Sequence, residues 1–214
     1  MSNTTFNHRA NALGTFAGVL LMLLMIVPPP AVEADTVVRQ DAVQKFEQGG
    51  WAPDSFYQLE VDLHGHDGQD SSLDRYAGGP VVMTMFYGSC PHVCPMLISS
   101  IQAAEQKLPA DQRSKLRVLM VSIDAERDTP QSLAAVAEQH GVDSSRWTLA
   151  SASAMDVRKV AAVLGIRFRK LPDGDYNHTS EMILVDPVGR EITRSSQLGV
   201  PAEDFVAALR EATD

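Results

Sequence analysis

The stretch from Pro80 to Pro95, PVVMTMFYGSCPHVCP, runs from an unbroken apolar segment directly into both of the chain's cysteines, Cys90 and Cys94. An apolar run rich in β-formers and bounded by glycines, Pro80–Gly88 here, reads as a strand buried on both faces. Beyond Pro95, the apolar residues Leu97, Ile101, Ala104 and Leu108 recur at helical spacing, and a proline suits the first turn of a helix. A strand covered on both sides needs a layer above it and a layer below it. The chain is therefore directed toward a sheet enclosed by helices, with the two cysteines where a central strand hands over to a helix.

The remaining elements fit that frame. Phe56 to Val61 (FYQLEV) reads as a strand, followed by the polar turn HGHDGQDSS. Leu116 to Asp124 is a second buried strand. The segment after it is a helix with Thr129 as N-cap, Pro130 at the first position and Gly141 closing it. WTLA is a short strand, AMDVRKVAAVLG a helix ending at Gly165, and EMILVDPVGREITR two strands joined by the turn Asp186 to Gly189. PAEDFVAALREA is a closing helix. Alternating strands and helices with a final hairpin and helix predict an α/β, three-layer sandwich around a mixed central sheet. A strand, a dicysteine turn and a helix make that sandwich thioredoxin-like.

The N-terminus bears on the compartment. After Arg9 an apolar run, Leu13 to Val27, stops at Pro28, Pro29 and Pro30. It is shorter than the ~20 residues that usually span a bilayer. It is also apolar on every face, unlike a surface helix of a soluble domain. It reads as a signal peptide with VEA, ending at Ala34, as its cleavage site; if retained, it is a tilted membrane anchor. Either way the rest of the chain is expected to be periplasmic or otherwise extracytoplasmic. The organisation is thus residues 1–34 as signal peptide or N-terminal anchor, 35–55 as a lead-in segment, and 56–214 as one domain with a substantial core. The formal net charge of −9 argues against nucleic acid as a partner.

In an oxidising compartment a disulfide-stapled small domain normally carries several bridges spread along the chain, whereas this chain has a single local pair. Such a pair can be a structural disulfide, a redox couple or half of a metal site. Cys94 falls at or just before a helix N-terminus, where unsatisfied N–H groups and the helix dipole favour a thiolate, so a lowered pKa is expected there. Thioredoxin-like redox motifs have two residues between the cysteines, but here there are three, Pro91, His92 and Val93. The longer loop can still close a disulfide. It also lets both sulfurs face one external point, where soft thiolates select Cu(I) or Zn over hard cations. Two thiolates leave such a site incomplete, and a histidine is the natural third ligand. Among the candidates, His64 and His66 read as solvated turn residues and His140 as a helix C-terminal residue suited to the dipole. His92 is a ligand, a proton donor or an exposed side chain. His178 directly precedes the buried strand Met182 to Val185, and spacing alone does not choose between a structural and a ligating role for it.

The stretches GGPVVMTMFYGSCPHVCP, VLMVSIDAERDTPQSLAAVAEQHG and FRKLPDGDYNHTSEMILVDPVGRE, with the closing helix, resemble in order and spacing the Sco/SenC family of copper-handling, thioredoxin-like proteins. The resemblance runs from Phe56 to about Leu209. It implies that Cys90, Cys94 and His178 bind one copper ion and that the cysteines form a redox-active pair. The family's acidic residues fall on Asp124 and Asp128, for which a place in the DTP helix cap is the plainer reading of Asp128. The function implied is that of an exported metallochaperone. It would deliver copper to a respiratory cytochrome c oxidase, at its dinuclear copper centre, with an oxidase subunit as recipient and a dithiol reductase keeping the cysteines reduced. The alternative is a thiol-disulfide reductase that keeps oxidase copper-site cysteines reduced. The chain departs from the family pattern at His92, where an acidic residue is usual, and at Asn177 and Thr179, which flank the histidine in place of a DHS triplet. An acidic neighbour would orient the imidazole through its second nitrogen, and Asn177 could accept that hydrogen bond with less charge.

Overall fold

The structure, a computed structural model, describes residues 50–90 and 93–214. The signal peptide or anchor expected in residues 1–34, most of the lead-in segment, and His92 lie outside them. The strands in chain order are β1 (Leu63–Gly65), β2 (Asp70–Ser71), β3 (Val81–Phe86), β4 (Arg117–Ser122), β5 (Trp147–Ala152), β6 (Phe168–Lys170), β7 (Tyr176–His178), β8 (Met182–Val185) and β9 (Glu191–Ser195). The helices are α1 (Val93–Glu105), α2 (Ala110–Lys115), α3 (Pro130–Gln139), α4 (Ala154–Leu164) and α5 (Glu203–Thr213). Among the described residues no helix is long and apolar enough to cross a membrane.

A seven-stranded mixed sheet runs in the order β2-β1-β5-β4-β3-β8-β9. Strands β3, β4 and β5 are parallel, and β8 joins β3 antiparallel. Every residue of β3 and β8 is buried, as their unbroken apolar sequences require, and the core is built around them. Thr84 is the exception inside β3, and its hydroxyl is satisfied by donating to the Glu181 carbonyl at 2.7 Å. The crossovers β3–α1–β4 and β4–α3–β5 step the same way along the sheet, so right-handed connections put α1 and α3 on one face. Gln102 of α1 donates to the His140 carbonyl at the end of α3, consistent with that layer. The return from β5 toward β8 carries α4, which buries Val157, Val160, Ala161 and Leu164. The three-layer α/β sandwich is thus the observed architecture.

Local chemistry explains the helix boundaries. Thr129 caps α3 in a reciprocal box with Ser132, with Pro130 at the helix start, and Ser153 caps α4 by accepting from the Asp156 N–H. Gly165 ends α4 in the left-handed conformation at φ 68°. The segment Phe56–Val61 is not a strand. Phe56–Gln58 forms a 3-10 turn because the Ser55 hydroxyl accepts from the Tyr57 N–H and the Tyr57 hydroxyl is drawn inward to the Tyr76 carbonyl at 3.0 Å. The extended backbone begins only at Leu63. A second departure is the separate two-stranded ribbon β6–β7, which the polar segment Phe168–His178 forms around a turn held by Leu171 N–H to Asp175 O at 2.7 Å.

Candidate metal centre

The register of the sheet creates the site. Strand β3 runs parallel to β4 and antiparallel to β8, so the carboxyl ends of β3 and β4 and the start of β8 share one edge. That edge receives the cysteine loop, the Ile123–Asp128 loop and the end of β7. Crevices at the carboxyl ends of parallel strands are the usual sites of α/β sheets.

Cys90 and Cys94 are both thiols, 8% and 3% exposed. Cys94 lies in the first turn of α1 and its N–H donates to Cys90 Sγ at 3.4 Å, while the Tyr87 N–H donates to Cys94 Sγ at 3.4 Å. Backbone amides thus hold both sulfurs at the strand-to-helix turn. The expected lowering of the Cys94 pKa does not occur. Burial pushes that thiol well above the ordinary range, Cys90 and Asp128 add to the shift, and only the Tyr87 amide opposes it. The helix N-terminus is present, but the side chain turns into the core instead of toward solvent.

His178 closes β7 and is half-buried. Its Nδ1 lies 3.1 Å from the Thr179 carbonyl, an acceptor only, so Nδ1 carries the proton and Nε2 keeps its lone pair. Burial pushes its pKa down, which favours the neutral imidazole a metal requires. The orienting acceptor is therefore a backbone carbonyl and not Asn177, whose exposed position pairs with Arg169 across the ribbon.

Tyr87 joins the three candidates. Its ring meets the His178 ring edge-on at 5.9 Å and the Tyr176 ring at 5.4 Å, and its amide binds Cys94. Burial, then a hydrogen bond to Cys90, pushes its phenol up to about 12. Among the described residues no three His, Cys, Asp or Glu side chains converge as a metal set. The structure thus brings the two sulfurs together and sets His178 one aromatic ring away. Sequence reading passed over Tyr87 because it reads as the last residue of an apolar strand; its place directly before GSC was the available signal.

Two buried acids brace this arrangement. Asp128 accepts from the Gly88 N–H at 2.8 Å and from the Ser122 hydroxyl, so it anchors the cysteine loop; the cap of α3 belongs to Thr129 instead. Asp124, fully buried, pairs with Arg127 and accepts from the Tyr176 hydroxyl at 3.4 Å. Arg127 donates onward to the Gly174 carbonyl at 2.8 Å, tying the β6–β7 turn to the same loop. The other described histidines stay apart. His64 pairs with Asp70 at the surface, His66 accepts the Leu149 N–H and faces Ser144, and His140 is the C-cap of α3.

Comparison with known proteins decides the lineage of this fold. The SCO1/SenC family profile matches residues 54–214. The chain belongs to the SCO1/SenC family. A SCO1 protein homolog of Bacillus subtilis (strain 168) is 23% identical over 162 residues, covering 73% of this chain and 83% of the relative. Bradyrhizobium japonicum ScoI, solved with copper bound, superposes with a TM-score of 0.61 at 24% identity, covering 71% of this chain and 96% of that one. BsSco, a member of the Sco family of cytochrome c oxidase assembly proteins in which a disulfide switch was identified, gives 0.62 at 21% identity, covering 76% and 96%. At these identities the likeness establishes the fold, which is that of the family's thioredoxin-like proteins.

Proposed function

We propose that this SCO1/SenC protein is an exported copper carrier that binds one copper through Cys90, Cys94 and His178 and passes it to a cytochrome c oxidase during assembly. The observation that carries the reading is the pair of sulfurs gripped by backbone amides, together with an imidazole set against the Tyr87 ring whose Nδ1 is committed to a carbonyl and whose Nε2 is left as a donor. Two thiolates with one neutral imidazole suit Cu(I), and a low-coordinate ion leaves room for a recipient's thiolates to displace the ligands stepwise. Loading releases the thiol protons and brings His178 toward the sulfurs past Tyr87. Copper-bound ScoI and the oxidase-assembly role of BsSco support this cargo and this destination. The apolar Leu13–Val27 run supports export, by a cleaved signal or a retained anchor.

A thiol-disulfide reductase acting on the oxidase's copper-site cysteines is the second reading, favoured by the adjacency of two thiols, with Cys94 N–H 3.4 Å from Cys90 Sγ. In that reading Cys90 is the attacking thiol and the buried Cys94, whose pKa burial raises, is its resolving partner. The test is His178→Ala in cells lacking the wild-type gene. The carrier reading predicts loss of oxidase activity as severe as in Cys90→Ser, with reduction of the Cys90–Cys94 disulfide by a dithiol unchanged. Full rescue by His178→Ala, with the cysteine variants inactive, would favour the reductase.

A further inference from the structure

The groove between β6 and α4 combines an open strand edge, an apolar floor and exposed cations. Three successive residues of β6, Phe168, Arg169 and Lys170, line it together with Val157, Arg158 and Tyr176. Side chains alternate along a strand, so successive residues line one groove only where the strand's edge, backbone included, faces it. The ladder agrees. Bonds from Thr179 N–H to Arg167 O at 2.9 Å and from Leu171 N–H to Asp175 O at 2.7 Å mark the hydrogen-bonded pairs, and Phe168 and Lys170 fall between them. Their N–H and C=O groups therefore point away from β7 and have no backbone partner among the described residues.

The charge of this strip opposes that of the chain. Against a net −9, Arg158, Arg169 and Lys170 line the groove, all exposed. Only Lys170 has a carboxylate partner, Glu126 at 2.6 Å, and the nearest acids along the ribbon, Asp173 and Asp175, lie in its turn. Cations on an open edge are also a common guard against unwanted pairing. A guard does not require an apolar trough beneath the edge, and here Phe168, Val157 and Ile123 supply one. The groove also ends at Tyr176, whose ring packs on Tyr87 beside both sulfurs and His178.

We propose that this groove docks an acidic, extended segment of the protein that exchanges copper with this one, taken on as a third strand of the β6–β7 ribbon with its carboxylates on Arg158 and Arg169. The identity of the partner as a copper donor or recipient rests on the carrier reading; the docking chemistry does not. An added strand gains affinity from main-chain hydrogen bonds and specificity from alternate side chains, so glutamates can reach the arginines while apolar residues enter the trough.

The test uses the full chain, metal-free and copper-loaded, with a fluorescent peptide of alternating Glu and Val, the same peptide with Lys for Glu, and vesicles containing phosphatidylglycerol. The acidic peptide is expected to bind, more weakly at high salt, and to slow amide exchange at Phe168 and Lys170. The combined change Arg158→Glu with Arg169→Glu should weaken binding by about tenfold or more. Lys170→Pro, which removes an outward N–H but leaves the ladder to β7, should weaken it comparably without lowering the melting temperature. No binding of the acidic peptide, equal binding of the lysine peptide, or unchanged affinity in both variants would overturn the proposal. So would arginine-dependent binding to the vesicles without peptide binding, which would make the strip a membrane contact. Copper stoichiometry measured on the same samples separates the two ideas: a peptide failure with copper binding intact removes the docking strip alone, while loss of copper binding by the wild-type chain removes the carrier reading.

Discussion

Cys94 illustrates how one side chain's direction overrides its position along the chain. At a helix N-terminus the partial positive charge lowers a thiol's pKa, an effect worth typically ~0.3–1 kcal/mol for exposed groups. Burying the sulfur at 3% exposure penalises the thiolate by more, and Cys90 and Asp128 add to the penalty. The metal-free thiol is thus protonated at neutral pH, and a soft metal must displace its proton, so copper loading acidifies an unbuffered solution. The alkylation rate of Cys94 in the reduced, metal-free chain is accordingly expected to stay flat through the range where an ordinary thiol titrates, ~8.5, and to rise only above it. Peptide mass analysis of pulse-alkylated samples across pH measures this directly. A rate that rises to a plateau below neutral pH would mean that Cys94 is a thiolate facing solvent. Tyr87 belongs to the same scale, since its amide, hydroxyl and ring each serve a different one of Cys94, Cys90 and His178.

Between elements, the helix that carries Cys94 is fastened at its far end by charge. Glu105, the last residue of α1, is 7% exposed and accepts from Arg146 at 3.1 and 3.2 Å and from the Trp147 indole at 3.1 Å. Arg146 also reaches Asp143 and the carbonyls of Arg113 and Leu116. Removing one partner of a buried pair costs about 3–5 kcal/mol because the other charge is left uncompensated. Those extra partners of Arg146 place Glu105→Ala at the lower end, about 3 kcal/mol. In a domain of this size that corresponds to a fall in melting temperature of roughly 6–12 °C. The combined replacement Glu105→Leu with Arg146→Met should recover most of it, since exchanging a whole buried pair for apolar side chains of similar volume is often neutral. Calorimetry of the three variants checks both statements; a melting temperature unchanged in Glu105→Ala would show that the pair does not fasten α1 to β5. The β6–β7 ribbon is held differently, through the Asp124–Arg127–Gly174 chain, so the element bearing His178 is braced by the loop whose Asp128 braces the cysteines.

For the whole molecule, the sheet order brings Cys90 and His178, far apart in the chain, to one edge. The mixed sheet and its enclosing helices were legible, because the unbroken apolar runs of β3, β4 and β8 and the capped helices between them are strong signals, whereas the order of the strands is a tertiary fact. Phe56–Val61 was misread because its alternating residues fit a strand, while the Ser55 cap and the inward Tyr57 hydroxyl that make it a 3-10 turn are tertiary facts. The β6–β7 ribbon was hidden by its polarity, since Phe168 and Tyr176 are its apolar contacts with the core and are only partly buried, although the Pro-Asp-Gly turn inside it was visible. In the site, residue types pointed to Cys90 and Cys94 and the family resemblance to His178, but Asp128's hold on Gly88 and the Tyr87 ring against the imidazole depend on folded geometry alone. The central claim is that the ribbon closes on the sulfurs around one copper. X-ray absorption at the copper edge of the reduced full chain, loaded with one equivalent of Cu(I), tests it most directly. The predicted shell has two sulfurs and one imidazole nitrogen, with the imidazole scattering lost in His178→Ala and bound copper lost in Cys90→Ser. An unchanged sulfur–nitrogen shell in His178→Ala would contradict it.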